Sequence, residues 1–162
     1  MMGVGKSTLG KILAKKLSFN FVDIDKLIEK RERCSINVIF KIKGEDFFRK
    51  LENKITLEEL KKQESVISLG GGAFLNKSIR IRTKKTSISF WLDVNIDILM
   101  KRLKNSQKRP LLYKKNISDT INKIYLERKK VYNEADHRIK CSSLKSSEII
   151  NKILKLYEDT RN

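Results

Sequence analysis

Met1-Met2-Gly3-Val4-Gly5-Lys6-Ser7-Thr8 opens the chain, and this stretch decides the fold. Gly3 to Thr8 matches the second half of the phosphate-loop pattern G-x-x-x-x-G-K-[ST]. The residue types suit that chemistry. Glycines let backbone N–H groups turn towards phosphate oxygens, and a helix N-terminus adds partial positive charge. Lys6 is spaced to reach the β- and γ-phosphates, and Ser7 to ligate Mg²⁺. A plain glycine-rich turn with Ser7 as a helix cap is the bland alternative. It is disfavoured because the motif runs directly into an amphipathic helix, Ser7–Leu17, with Leu9, Ile12, Leu13, Ala14 and Leu17 on its apolar face.

The pattern is only half present. Its opening glycine would fall one position before Met1, and the strand that normally delivers the chain into such a loop does not precede it. Either upstream residues are lost from the record or the chain is truly truncated. The expectation is that these residues alone fold poorly or bind ATP weakly.

Further along, apolar runs alternate with helical patterns, which predicts an α/β domain with a mostly parallel sheet. Phe19–Ile24 reads as a short strand ending in acidic residues. Ser35 is placed to cap a helix carrying Ile36, Ile39 and Phe40. Gly44 breaks that pattern, and a longer helix runs to about Lys62. Val66–Leu69 and Ile88–Leu92 read as strands, Asp97–Lys104 as a helix, and 102–116 as a basic loop around Pro110. Ser118–Ala135 reads as a helix, His137–Cys141 as a last strand, and Ser146–Asp159 as a closing helix.

Several residues carry possible chemistry. Asp23 and Asp25 stand at i, i+2, which on a strand puts them on one face. One carboxylate there would hold Mg²⁺ through water, and the other would orient or deprotonate an acceptor hydroxyl. The residues alone equally allow a strand-end Asp23 and a helix-capping Asp25. Arg49 and Glu52 stand at i, i+3 on one helix and, taken alone, read as a surface pair worth tenths of a kcal/mol. Gly70-Gly71-Gly72 follows a strand, where it allows close backbone approach by a ligand, in a crevice rather than a loose turn. Arg128 lies on the apolar stripe of its helix with Ile121, Ile124, Tyr125, Val131, Tyr132 and Ala135. A buried arginine needs an anionic partner, and the residues leave open a structural carboxylate or one carried by a substrate. Arg102 and Arg109 flank the basic loop, which reads either as a lid over nucleotide or as a solvated connection. His137 carries no assigned chemistry.

Composition narrows the class. The chain has 162 residues, 40% hydrophobic and 35% charged, which fits one globular domain spanning 1–162. No apolar run has the length of a membrane span, and no secretory segment follows the start, so no membrane partner and a cytoplasmic location are expected. Cys34 and Cys141 read as two reduced thiols. The formal charge of +18 is spread along the chain, with only short runs such as Lys61–Lys62 and Lys84–Lys85. It reads as a solvated Lys-rich surface that attracts an anionic nucleotide rather than as a nucleic-acid footprint.

The ordered set of motifs resembles the shikimate kinase family, within the nucleoside monophosphate kinase-like P-loop fold. The set comprises GKST at Gly5–Thr8, DID at Asp23–Asp25, GEDFFRKLE at Gly44–Glu52, GGG at Gly70–Gly72, RPLL at Arg109–Leu112 and RKKVYNEA at Arg128–Ala135. The resemblance covers nearly the whole chain. It implies a three-layer α/β fold with a parallel sheet of order 2-3-1-4-5 whose first, central strand is missing here. It implies transfer of the ATP γ-phosphate to the 3-hydroxyl of shikimate with Mg²⁺, by a monomer.

The resemblance also assigns roles. Gly3, Gly5, Lys6, Ser7 and Thr8 belong to the nucleotide loop, with Ser7 and Asp23 at Mg²⁺. Asp25 contacts the shikimate hydroxyls and is the candidate base. Arg49 and Arg128 bind the shikimate carboxylate, Glu52 orients the arginine, and Gly71 and Gly72 line the pocket. Arg109 is the lid arginine near the transferring phosphate, and Arg102 lies beside adenine. The substrate-binding region falls at about 25–60 and the lid at about 102–116. Ser18 departs from the family's usual glycine after the first helix. The competing readings are a related small-molecule kinase such as gluconate kinase, an inactive truncated remnant, and a non-enzymatic basic binder.

Overall fold

The computed structural model describes residues 3–104 and 117–161. Helix α1, Lys6–Leu17, leads to β1, Asn20–Asp23, and α2, Ile24–Glu32. Then come α3, Ile36–Glu59, β2, Ser65–Ser68, a 3-10 turn at Ala73–Leu75, and α4, Lys77–Thr86. Strand β3, Phe90–Asp93, is followed by α5, Ile96–Lys104, and α6, Ile117–Tyr132. Strand β4, His137–Lys140, and α7, Ser146–Arg161, close the fold.

Local chemistry explains several boundaries. Ser35 caps α3 by accepting from the Val38 amide at 3.4 Å. Gly44 has φ 80° and ψ 171° inside α3, so the helix kinks there, where a glycine tolerates the positive φ. Ser18 ends α1 in the left-handed region at φ 57°, a position glycine fills at less cost. Asp23 closes β1 and also caps α2, its side chain accepting from the Lys26 amide. The expected strand to Ile24 is therefore one residue too long, and Asp25 belongs to the first turn of α2. The strand-face argument for Asp23 and Asp25 fails for that reason. Helix α4 was absent from the sequence reading.

Among the described residues all strand pairings are parallel. β1 pairs with β2 from Asn20–Ser65 to Asp23–Ser68, and β3 with β4 from Phe90–His137 to Asp93–Lys140. These match the outer pairs, 2-3 and 4-5, of the implied order. Among the described residues no strand joins β2 to β3. A cavity of about 960 Å³ lies there, lined by both strands, by Leu9, Leu13 and Leu17 of α1, and by Phe74.

Among the described residues, the two larger of three apolar clusters carry most of the packing. The larger gathers α1, β3, α5, α6, β4 and α7 around Leu9, Trp91, Leu99, Ile121 and Ile150. The smaller joins α2 and α3 through Ile24, Ile28, Ile39, Phe48 and Ile55. Asp93 ties the larger side together by accepting from Tyr125 of α6 at 3.0 Å and from Arg138 of β4 at 2.7 Å. Among the described residues no helix is long and apolar enough to cross a membrane. Cys34 and Cys141 are not joined in a disulfide.

Candidate active site

The phosphate loop sits at the start of α1. Gly3 has φ 75° and Gly5 φ 88°, both in the region that favours glycine. Gly5 is the N-terminal cap of α1, and its carbonyl accepts from Leu9 at 3.0 Å. The first amides of α1 therefore face the turn that the sequence reads as a phosphate cradle, and Lys6 is the first residue of the helix. Thr8 lies exposed on the first turn of α1.

Ser7 and Asp23 meet directly, the Ser7 hydroxyl donating to the Asp23 carboxylate. They come from different elements, the start of α1 and the end of β1. Two hard oxygen donors side by side suit Mg²⁺, which takes one or two protein oxygens and fills its octahedron with water and phosphate.

A second cluster gathers at the carboxyl ends of β1 and β2. Arg49 on α3 donates to Glu52 at 2.7 Å and, on its other edge, to Glu45 at 3.0 Å. Glu52 is only 2% exposed, so the reading of this pair as a surface pair is wrong. Burial pushes the Glu52 carboxyl above its ordinary value, Arg49 draws it back, and Asp25 adds to the rise. Burial opposes the Arg49 charge, but Glu52 and Glu45 outweigh it and hold the guanidinium above its ordinary value.

The glycines exist for clearance. A Cβ on Gly70 would stand 2.7 Å from Asp25 Oδ1 and collide with Glu52 Oε1. A Cβ on Gly72 would stand 2.5 Å from Arg49 Nη1. Those contacts place Asp25 and Glu52 against Gly70 and Arg49 against Gly72, so the three side chains gather around the glycine turn. Arg128 enters from α6, 7% exposed, and donates to the Gly71 carbonyl at 2.8 Å. Its field also lowers the Glu52 value. The direct partner the structure gives this buried arginine is a carbonyl oxygen rather than a carboxylate.

Sequence reasoning omitted two members of this cluster. Gly70 reads only as one of a triplet that allows close approach by a ligand, whereas its missing Cβ makes room for both carboxylates. Tyr132 was read only as part of an apolar stripe, yet its hydroxyl reaches the Gly71 carbonyl at 2.5 Å. The signal available was its spacing, one helical turn beyond Arg128. Arg109 and most of the lid fall outside the described residues. Arg102 lies on α5, and its side chain is also outside them. Among the described residues no group of three or more His, Cys, Asp or Glu is arranged to hold a metal.

The sequence model of the shikimate kinase family matches residues 2–158. A shikimate kinase of Sulfurihydrogenibium sp. (strain YO3AOP1) is 47% identical over 154 residues, covering 94% of this chain and 91% of that protein. One from Persephonella marina is 42% identical over 153 residues, covering 94% and 92%. Among solved structures, a shikimate kinase from Acinetobacter baumannii in complex with shikimate superposes with a TM-score of 0.93 at 29% identity, covering 98% of this chain and 89% of that one. The enzyme from Aquifex aeolicus superposes at 0.87 with 35% identity, covering 99% and 94%.

Proposed function

The chain belongs to the shikimate kinase family and is an ATP-dependent kinase, and from that premise we propose how its own residues divide the work. The acceptor is shikimate, and the product is shikimate 3-phosphate. One observation carries the assignment. Asp25, Arg49, Glu52 and Arg128 gather around the glycine turn at the carboxyl ends of the strands, where open α/β sheets bind ligands.

Arg49 and Arg128 bind the carboxylate of shikimate. Glu52 turns the Arg49 fork towards it and stays largely out of solvent. Gly71 and Gly72 form the wall against which the ring lies. Asp25, close to Gly70, accepts the proton of the 3-hydroxyl as that oxygen attacks the γ-phosphorus and the bond to the β-phosphate oxygen breaks. Gly3 and Gly5 shape the phosphate turn, Lys6 balances charge on the β- and γ-phosphates, and Thr8 completes the loop. Ser7 and Asp23 hold Mg²⁺, which supplies charge neutralisation on the phosphates when bound. Arg109 and Arg102 take the lid and adenine roles. The catalytic contribution is positioning and charge stabilisation, with no covalent intermediate on the protein.

The carboxylate assignment is tested with two substrates and one variant. Arg128→Ala should raise KM for shikimate by about tenfold or more, the cost of removing a charged hydrogen bond. The methyl ester of shikimate carries no carboxylate charge, so the same variant should discriminate far less against it. An equal loss for acid and ester would remove Arg128 from carboxylate binding.

A further inference from the structure

We propose that Tyr132 is a positioning residue for shikimate recognition, acting through the Gly71–Gly72 peptide; the inference rests on the substrate assignment above. The Gly71 carbonyl accepts twice, from Arg128 Nη1 at 2.8 Å and from the Tyr132 hydroxyl at 2.5 Å. Both donors come from α6, one turn apart, and reach a residue 57 and 61 positions away in sequence. Both lone pairs of that carbonyl are thus engaged.

The peptide it belongs to joins two glycines, and glycine offers the least resistance to backbone rotation. Without a restraint this peptide would sample several orientations. In a trans peptide the C=O and the following N–H point in opposite directions. Pinning the Gly71 carbonyl towards α6 therefore aims the Gly72 N–H away from α6. Gly72 also lies against the Arg49 guanidinium, so a shift of this peptide would disturb Arg49 as well. Arg128 divides its donors between this carbonyl and the substrate, whereas the Tyr132 hydroxyl has the carbonyl as its acceptor.

The Tyr132 ring is held independently of its hydroxyl. It is 6% exposed and packs on Trp91 with centroids 5.9 Å apart. Burial pushes the phenol above its ordinary value, against the pull of Arg128, so the group stays protonated and able to donate at neutral pH. Tyr132→Phe removes the hydroxyl and leaves the ring in place.

Isothermal titration calorimetry reads shikimate binding without turnover and needs no signal from the Trp91–Tyr132 contact that the variant alters. Titrating the wild-type chain and Y132F with shikimate, and separately with ATP, tests the proposal. The expected result is a shikimate Kd about five- to tenfold weaker in Y132F, the scale of one hydrogen bond, with ATP affinity and thermal midpoint little changed. In steady state KM for shikimate should rise while kcat stays within about twofold. An unchanged shikimate Kd would overturn the proposal. So would a parallel loss of ATP affinity and thermal stability, which would make the hydroxyl a part of the general packing. A wild-type chain that does not bind shikimate would contradict the substrate assignment, and the proposal with it.

Discussion

Glu52 shows how one residue changes meaning once its surroundings are known. Its spacing from Arg49 is that of countless exposed helix pairs, and such pairs contribute little. Packing against Gly70 makes it 2% exposed, and no spacing rule reports that burial. Burial raises its carboxyl value despite Arg49, so the folded chain holds this proton more tightly than the unfolded chain. The contribution to stability is fully present below the ordinary value of 4.5 and declines as pH rises through the higher folded value. Glu52→Gln removes that titration. Relative to wild type, the variant should gain stability as pH rises from about 4 towards 7, read from urea denaturation at each pH. Its shikimate affinity should fall by about tenfold, because Arg49 loses a charged partner. A stability difference independent of pH would show that burial does not raise the Glu52 carboxyl. Tyr132 has the same history: the stripe it belongs to was visible, but the carbonyl it reaches lies 61 positions away.

Elements were legible where backbone chemistry is written locally. The phosphate turn, the first helix, the Ser35 cap and the Gly44 break all follow from residues within a turn of one another. Two helices were missed for different reasons. Helix α2 begins where the acidic run was read as a strand end, since Asp23 closes the strand and caps the helix at once. Helix α4 buries only Ile79 and Thr83 along a basic, β-branched sequence, so its periodicity is weak. The left-handed positions give paired predictions. Ser18 at φ 57° occupies a conformation that costs a non-glycine residue about 1 kcal/mol, so Ser18→Gly should raise stability by that order. Gly44 has φ 80° and open space around a Cβ, so Gly44→Ala should cost about 1–2 kcal/mol through backbone strain alone. Chemical denaturation of both variants checks the pair. A stabilised G44A or a destabilised S18G would mean the turn geometry differs from that described.

At the scale of the whole molecule, the site depends on elements that no local reading connects. Arg49 comes from α3, Asp25 from α2, Arg128 from α6 and the glycines from the turn after β2. Their order along the chain suggested a family, while their meeting point is a property of the parallel pairing of β1 with β2 and of α6 crossing the glycine turn. The cavity between β2 and β3 adjoins the phosphate loop through Val4 and Lys6. The central claim is phosphoryl transfer from ATP to shikimate. A coupled assay of ADP release, run with Mg²⁺ and with shikimate, gluconate or nucleoside monophosphates as acceptor, tests it most directly. The account predicts ADP release dependent on shikimate, with phosphate recovered on its 3-hydroxyl. Turnover with gluconate or a nucleoside monophosphate but not with shikimate would contradict it.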